Sequence, residues 1–147
     1  MMRIAAGLCA ALVMFFAAPA RAADAVTDAM QAAYAPYRAA LFRTNSKAQA
    51  ESEQAIARAQ GEWNALVHRF ASQPPAPYDR DPAFAGTLKA VADVYRKAEA
   101  EIREKRLADA HETLEEARDL MAELRRRNGV VVYSDHMNAY HAEMEHV

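Results

Sequence analysis

Four stretches of this 147-residue chain carry apolar residues at intervals of three or four positions, the spacing of one face of an α-helix. The stripes are Val26, Met30, Tyr34, Tyr37 and Leu41; Ile56, Ala59, Trp63, Leu66 and Phe70; Phe84, Leu88, Val91, Tyr95, Ala98 and Ile102; and Leu107, Ala110, Leu114, Ala117, Met121 and Leu124. Amphipathic helices with short connections bury such stripes best as an antiparallel bundle. The sequence therefore predicts an all-α fold, an up-down-up-down four-helix bundle with a short C-terminal helix.

The first two helices have partial boundary signals. Helix 1 is predicted at residues 24–43, with a kink at Pro36, because proline removes one backbone hydrogen bond. Ser46 and Gln49 have the spacing of a capping box, which predicts that helix 2 begins just after Ser46.

Clearer signals bound helices 3 and 4. Three prolines mark residues 72–81 as a loop. Asp81 is a good N-cap for helix 3, with Pro82 at its first position. The apolar stripe breaks phase at residues 103–106, which predicts a tight turn rather than one continuous helix. After helix 4, Gly129 suits a left-handed cap, and the preceding arginines complement the helix dipole.

The N-terminus has the pattern of a secretory signal peptide. Arg3 precedes an apolar run at residues 4–16, and residues 20–22 form a small-x-small cleavage site. We therefore expect residues 1–22 to be removed, residues 23–147 to form the bundle domain, and the protein to be periplasmic. An uncleaved anchor is the alternative. The sole cysteine lies in this leader, which excludes disulfides and thiol chemistry from the mature domain.

Composition excludes several classes of function. Four glycines are too few for a phosphate-binding loop, and a net charge of −2 argues against nucleic-acid binding. Ser134, Asp135 and His136 are adjacent, so they do not form a catalytic triad, and nothing else indicates an enzyme. Ser134 or Asp135 is instead predicted to cap the last helix. The expected partners are a periplasmic protein or a second copy, with no membrane contact after cleavage.

The predicted topology gathers most of the histidines at one end of the bundle. Met30, His68, the proline loop and the C-terminal segment share that end, whereas His111 lies at the other. His111 is predicted to be solvated. Tyr34, Tyr37, Tyr95 and Trp63 are expected in the core, with hydroxyl groups at its rim.

The C-terminal segment carries the candidate ligands. On a helix, Met137, His141 and Met144 lie on one face, at i, i+4 and i+7. Imidazole and thioether donors suit copper or haem iron. His136 and His68 are second-rank metal candidates. The alternative is that Met137, Tyr140 and Met144 plug the open end of the bundle while the histidines are solvated.

Two short segments carry a resemblance to a known family. Residues 138–141 read Asn-Ala-Tyr-His and residues 23–30 read Ala-Asp-Ala-Val-Thr-Asp-Ala-Met. Both are similar to segments of the soluble periplasmic cytochrome b-562 family, which are exported four-helix bundles. The resemblance implies haem b held by Met30 and His141 as axial ligands. We therefore expect a non-enzymatic bundle that binds haem or a metal ion such as copper. The alternative is a cofactor-free bundle acting through protein contacts.

Overall fold

The computed structural model describes residues 24–145, apart from the side chains of Asn138, Ala139, His141, Ala142 and Glu145. The predicted signal peptide therefore lies outside the described residues. The helices are α1 (Ala25–Asn45), α2 (Gln49–Phe70), α3 (Phe84–Arg103), α4 (Leu107–Arg127) and α5 (Tyr133–Glu145), with a 3-10 turn at Tyr78–Arg80.

The predicted four-helix bundle is confirmed. Helices α1 to α4 form the bundle: each packs on the next, and α4 packs on α1, which closes it. Most residues of the predicted stripes lie in the buried core, with Trp63, Tyr37, Tyr95 and Phe84 among its largest members. On α1, however, Tyr34 and Leu41 are only partly buried, and Ala33 and Ala40 are buried instead. Each large apolar side chain that is buried contributes about 1.5–3 kcal/mol. These contacts, rather than any disulfide, hold the described residues together.

Two nearly identical turns join α1 to α2 and α3 to α4. Lys47 (φ 57°), after α1, and Lys105 (φ 62°), after α3, have left-handed backbone conformations. In the second turn, Lys105 N–H donates to Ile102 O at 2.9 Å and Arg106 N–H to Glu101 O at 2.9 Å. This is the Schellman pattern, with lysine where glycine is usual. The predicted turn at residues 103–106 is therefore confirmed.

The predicted capping box of α2 is wrong. Ser46 ends α1 instead, and its hydroxyl donates to Arg43 O at 3.2 Å. Gln49 is the first residue of α2, and its amide donates to Ile102 O at 2.7 Å. The left-handed residue between Ser46 and α2 prevents Ser46 from acting as the cap, so Gln49 links the two turns at this end of the bundle.

Asp81 is not the N-cap of helix 3, as predicted, but lies two residues before the observed N-cap, Ala83. Helix α3 begins at Phe84, and the Asp81 carboxylate accepts from Ala83 N–H at 2.9 Å. It also accepts from Asn128 Nδ2 at 2.9 Å and from Arg127 Nη2 at 3.0 Å. Burial of the carboxyl acts to raise its pKa, but these hydrogen bonds outweigh burial and lower it. Asp81 therefore ties the proline loop to the end of α4.

Of the four aromatic residues predicted in the core, Tyr37, Tyr95 and Trp63 are buried and Tyr34 is only half-buried, and the hydroxyls of Tyr37 and Tyr95 do not lie at the rim. Tyr37 packs against Tyr95 with ring centroids 6.2 Å apart, and Trp63 meets Tyr95 edge-on at 6.1 Å. The Tyr37 hydroxyl donates to Leu114 O at 3.0 Å, whereas the buried Tyr95 hydroxyl has no hydrogen-bond partner among the described residues. Burial raises the pKa of both tyrosines.

Candidate functional site

Helix α5 carries the predicted ligand face. It spans Tyr133–Glu145 without interruption, so Met137, His141 and Met144 occupy one face of a regular helix. The side chains of Met137 and Met144 are 37% and 57% exposed. Neither methionine is therefore enclosed in the core.

These exposures contradict the alternative in which the segment plugs the bundle. A plug would bury Met137, Tyr140 and Met144 against the core, but Tyr140 is 61% exposed and both methionines are exposed as well. Core packing therefore does not explain why the sequence places large apolar side chains on α5.

A glycine cap fixes the path of the chain between α4 and α5. Gly129 has a φ of 66°, which confirms the predicted left-handed cap. Val130 N–H donates to Arg125 O at 3.0 Å, and the Val130 side chain is buried. The chain therefore turns back onto the bundle before α5 begins.

An ion pair then anchors the first turn of α5. Arg125 Nε donates to the two carboxylate oxygens of Asp135 at 3.2 and 3.0 Å, and its Nη2 also pairs with that carboxylate. Asp135 Oδ2 accepts from Val132 N–H at 3.1 Å, the reach-back half of a capping box. Neither Ser134 nor Asp135 is the N-cap predicted for this helix, because α5 begins at Tyr133; Asp135 instead supports the first turn from within it.

Arg125 lies in the last turn of α4, as predicted, but it also has a role that the sequence analysis did not predict. Its side chain is only 4% exposed, and it makes a specific pair with Asp135. Arg125 lies four residues after Met121, at the edge of the buried stripe, and this spacing is the signal that the sequence analysis missed. Nothing local to Arg125 indicates that Asp135 is its partner.

The space around Met30 can be compared with the size of a haem. Met30 is buried, and it lines a crevice together with Thr27, Gln31, Tyr34, Arg125 and Ser134. The crevice has a volume of about 10 Å³, roughly the space of one water molecule. Pockets for cofactors of drug size and larger have roughly 300 Å³ or more. The crevice beside Met30, which Arg125 and Ser134 help to line, is therefore too small for a haem.

The remaining histidines differ in their surroundings. His68 in the last turn of α2 and His136 in α5 are exposed. His111 is not simply solvated, as predicted, because its Nδ1 lies 3.1 Å from Leu41 O and 3.4 Å from the Thr44 hydroxyl. It therefore links α4 to the last turns of α1.

No group of three His, Cys, Asp or Glu side chains suited to a metal ion occurs among the side chains that the structure describes. The His141 side chain lies outside them. Among the described candidate ligands, Met137 and Met144 share the α5 face with the His141 position, whereas exposed His136 lies on a neighbouring flank of α5 and exposed His68 lies on α2.

Within residues 24–145, no helix combines the length and the apolar character needed to cross a bilayer. The chain matches no family model, no curated protein and no solved structure with which it was compared.

Proposed function

We propose that this chain is an exported, non-enzymatic helical-bundle protein that binds a soft metal ion through one face of α5. The ion is Cu(I), and the ligands are His141 with Met137 and Met144. The bundle supplies a rigid base, and the Arg125–Asp135 pair holds the first turn of α5 against it.

The spacing of the three ligands suits a metal ion with a low coordination number. Residues three or four apart on a helix have Cβ atoms about 5–6 Å apart, so His141 can share an ion with either methionine. Met137 and Met144 lie about 10 Å apart along the axis, at about 1.5 Å per residue. His141 is therefore the common ligand. Thioether and imidazole donors select Cu(I) over Mg²⁺ or Ca²⁺.

The exposure of Met137 and Met144 is the observation that carries this proposal. Methionine usually fills gaps in a core, as buried Met30 and Met121 do in this bundle. On α5 both methionines are instead partly exposed, three or four residues from the His141 position, which supports a role as ligands.

A competition titration tests the proposal. Cu(I) is supplied with a coloured chelator, and the transfer of the ion to the protein is followed by loss of the chelator's absorbance. We expect His141→Ala to weaken binding by about tenfold or more, since it removes the common ligand. Met137→Leu and Met144→Leu each weaken binding less, because one thioether remains.

Met30→Leu is the matched control. It replaces a buried thioether with a side chain of similar volume, so we expect Cu(I) binding to be unchanged. Binding that survives His141→Ala, or that is lost only in Met30→Leu, contradicts the assignment to α5.

The periplasmic location is tested separately. We expect the protein recovered from the periplasm to begin at Ala23, as N-terminal sequencing or intact mass would show. Retention of residues 1–22 in a membrane fraction would favour the uncleaved anchor instead.

Contact with another protein is the second candidate function. Tyr133 is 77% exposed on the same helix, beside the exposed Tyr140. Tyrosine is enriched at protein interfaces. This candidate requires no cofactor, and a protein that does not bind Cu(I) but associates through α5 would support it.

A further inference from the structure

Four exposed apolar side chains form a single strip along α5. Tyr133, Met137, Tyr140 and Met144 follow one another at intervals of four, three and four residues. This is the heptad spacing of a coiled-coil seam, so these residues line one side of the helix. We call them the α5 seam. An exposed strip of this kind on a soluble domain usually marks an interaction site.

We propose that the α5 seam pairs with the α5 seam of a second copy of the chain, with the two helices antiparallel. In a two-fold dimer the same surface of each copy contacts the other, so the surface must complement itself. The α5 seam meets this condition. If Tyr133 of one copy lies opposite Met144 of the other, the same register places Met137 opposite Tyr140.

This register gives every seam residue an unlike partner. Each tyrosine ring lies against a methionine side chain, and sulfur–aromatic contacts are favourable. Met137 and Tyr140 pair twice at the centre of the interface, and Tyr133 and Met144 pair twice at its ends. Each copy of the seam thus fits the other.

The polar residues beside the seam also favour the antiparallel orientation. His136 and Glu143 are exposed and lie one heptad apart on the same flank of α5. In an antiparallel pair, the same flanks of two helices face each other, so His136 of each copy meets Glu143 of the other. In a parallel pair, His136 would instead lie beside the His141 position of the other copy. An imidazole N–H can donate a hydrogen bond to the Glu143 carboxylate, whereas a second histidine offers no carboxylate, and complementary partners at such flanking positions set helix orientation.

The area of the seam predicts a weak dimer. Tyrosine and similar side chains bury about 150–250 Å² each, so the exposed parts of four of them supply roughly 400 Å² per copy. Stable interfaces bury about 800 Å² per partner. We therefore expect association at micromolar concentration or above, with monomers in dilute solution.

Pairing does not depend on the proposed metal site, but it has a consequence for it. The seam contacts cover the side chains of Met137 and Met144, so a bound Cu(I) ion and the second copy compete for the same side chains. Linkage requires each to weaken the binding of the other. Oligomeric state is therefore measured without metal, so that failure of one proposal is distinguishable from failure of the other.

Sedimentation velocity of the metal-free protein, from about 10 µM to about 1 mM, tests the pairing. We expect the unaltered chain to shift from monomer to dimer, and Tyr140→Glu to weaken association by about tenfold or more. Phe42→Glu is the matched control. Phe42 is 63% exposed at the opposite end of the bundle, so the same change there leaves the dimer intact. Circular dichroism verifies that each variant is folded.

The dimer proposal is overturned by a chain that stays monomeric throughout the range, or by equal effects of the two glutamate variants. The orientation is tested in a Cys9→Ser background. A mixture of His136→Cys and Glu143→Cys proteins should form a mixed disulfide faster than either protein forms its own. Faster linking in a mixture of His136→Cys and His141→Cys proteins, the two positions that a parallel pair brings together, would overturn the antiparallel orientation.

Discussion

Replacement of Asp135 by alanine tests how α5 is held on the bundle. The Asp135 carboxylate is the partner of the buried Arg125 guanidinium, and it also accepts from Val132 N–H. In Asp135→Ala, the guanidinium remains in the fold without its counter-charge, and α5 loses the side chain that supports its first turn.

The expected loss of stability is large for a single substitution. Removal of one partner from a buried ion pair costs about 3–5 kcal/mol, because the remaining charge is left uncompensated. Loss of a capping hydrogen bond at the start of a helix costs about 1 kcal/mol. A domain of this size has a free energy of unfolding of about 5–15 kcal/mol. Because the Asp135 side chain is 20% exposed, the cost of breaking the pair lies at the lower end of its range, and we expect Asp135→Ala to lower the free energy of unfolding by about 3–5 kcal/mol in total.

Urea unfolding measures this effect, with Trp63 fluorescence as the probe. Trp63 is the only tryptophan and is buried, so its emission follows the opening of the bundle. Asp119→Ala is the control, because the Asp119 carboxylate is 72% exposed and pairs with Arg118 at 3.2 Å on the surface. Such a pair contributes about 0–1 kcal/mol.

The double variant Arg125→Met with Asp135→Leu distinguishes the ion pair from other effects. Two apolar side chains remove both charges together, so we expect the double variant to recover most of the stability lost in Asp135→Ala. A loss of stability in Asp135→Ala no greater than that in Asp119→Ala would refute a stabilising role for the Arg125–Asp135 pair. A double variant as unstable as Asp135→Ala would refute it as well.

Three further predictions use the same unfolding assay. Lys105→Gly should raise the free energy of unfolding by about 0.5–1 kcal/mol, because glycine relieves the left-handed backbone at that turn; a loss would contradict this reading. Tyr95→Phe should be neutral or stabilising by up to about 1 kcal/mol, since it removes a buried hydroxyl without a described partner, whereas Tyr37→Phe should cost about 1 kcal/mol. Equal effects of these two variants would be inconsistent with the hydrogen bonds. The lowered pKa of Asp81 stabilises the folded state above the unfolded pKa of about 4, and this stability is lost as the pH falls through the folded pKa. Asp81→Asn should therefore flatten the fall in stability between about pH 5 and pH 2, and an unchanged slope would exclude this role.

Much of the fold could be predicted because its signals are local. The stripes that contain Trp63 and Leu114 are periodic over several turns, and both residues are buried. The phase break before Leu107 and the glycine at position 129 also mark the turns that the structure has. The capping box at Ser46 failed because its residues lie on opposite sides of a left-handed turn, which its spacing does not reveal.

Helical spacing alone determined which residues share a face, and this includes Met137, His141 and Met144 on α5. Only the tertiary structure decided which faces are covered. In that structure, Met30 and Arg125 are buried, whereas Met137 and Met144 on α5 are exposed. The physical reason is that periodicity is a property of one helix, whereas burial depends on a neighbour. The partner of Arg125 lies ten residues further along the chain, beyond a turn, and no local pattern specifies that contact.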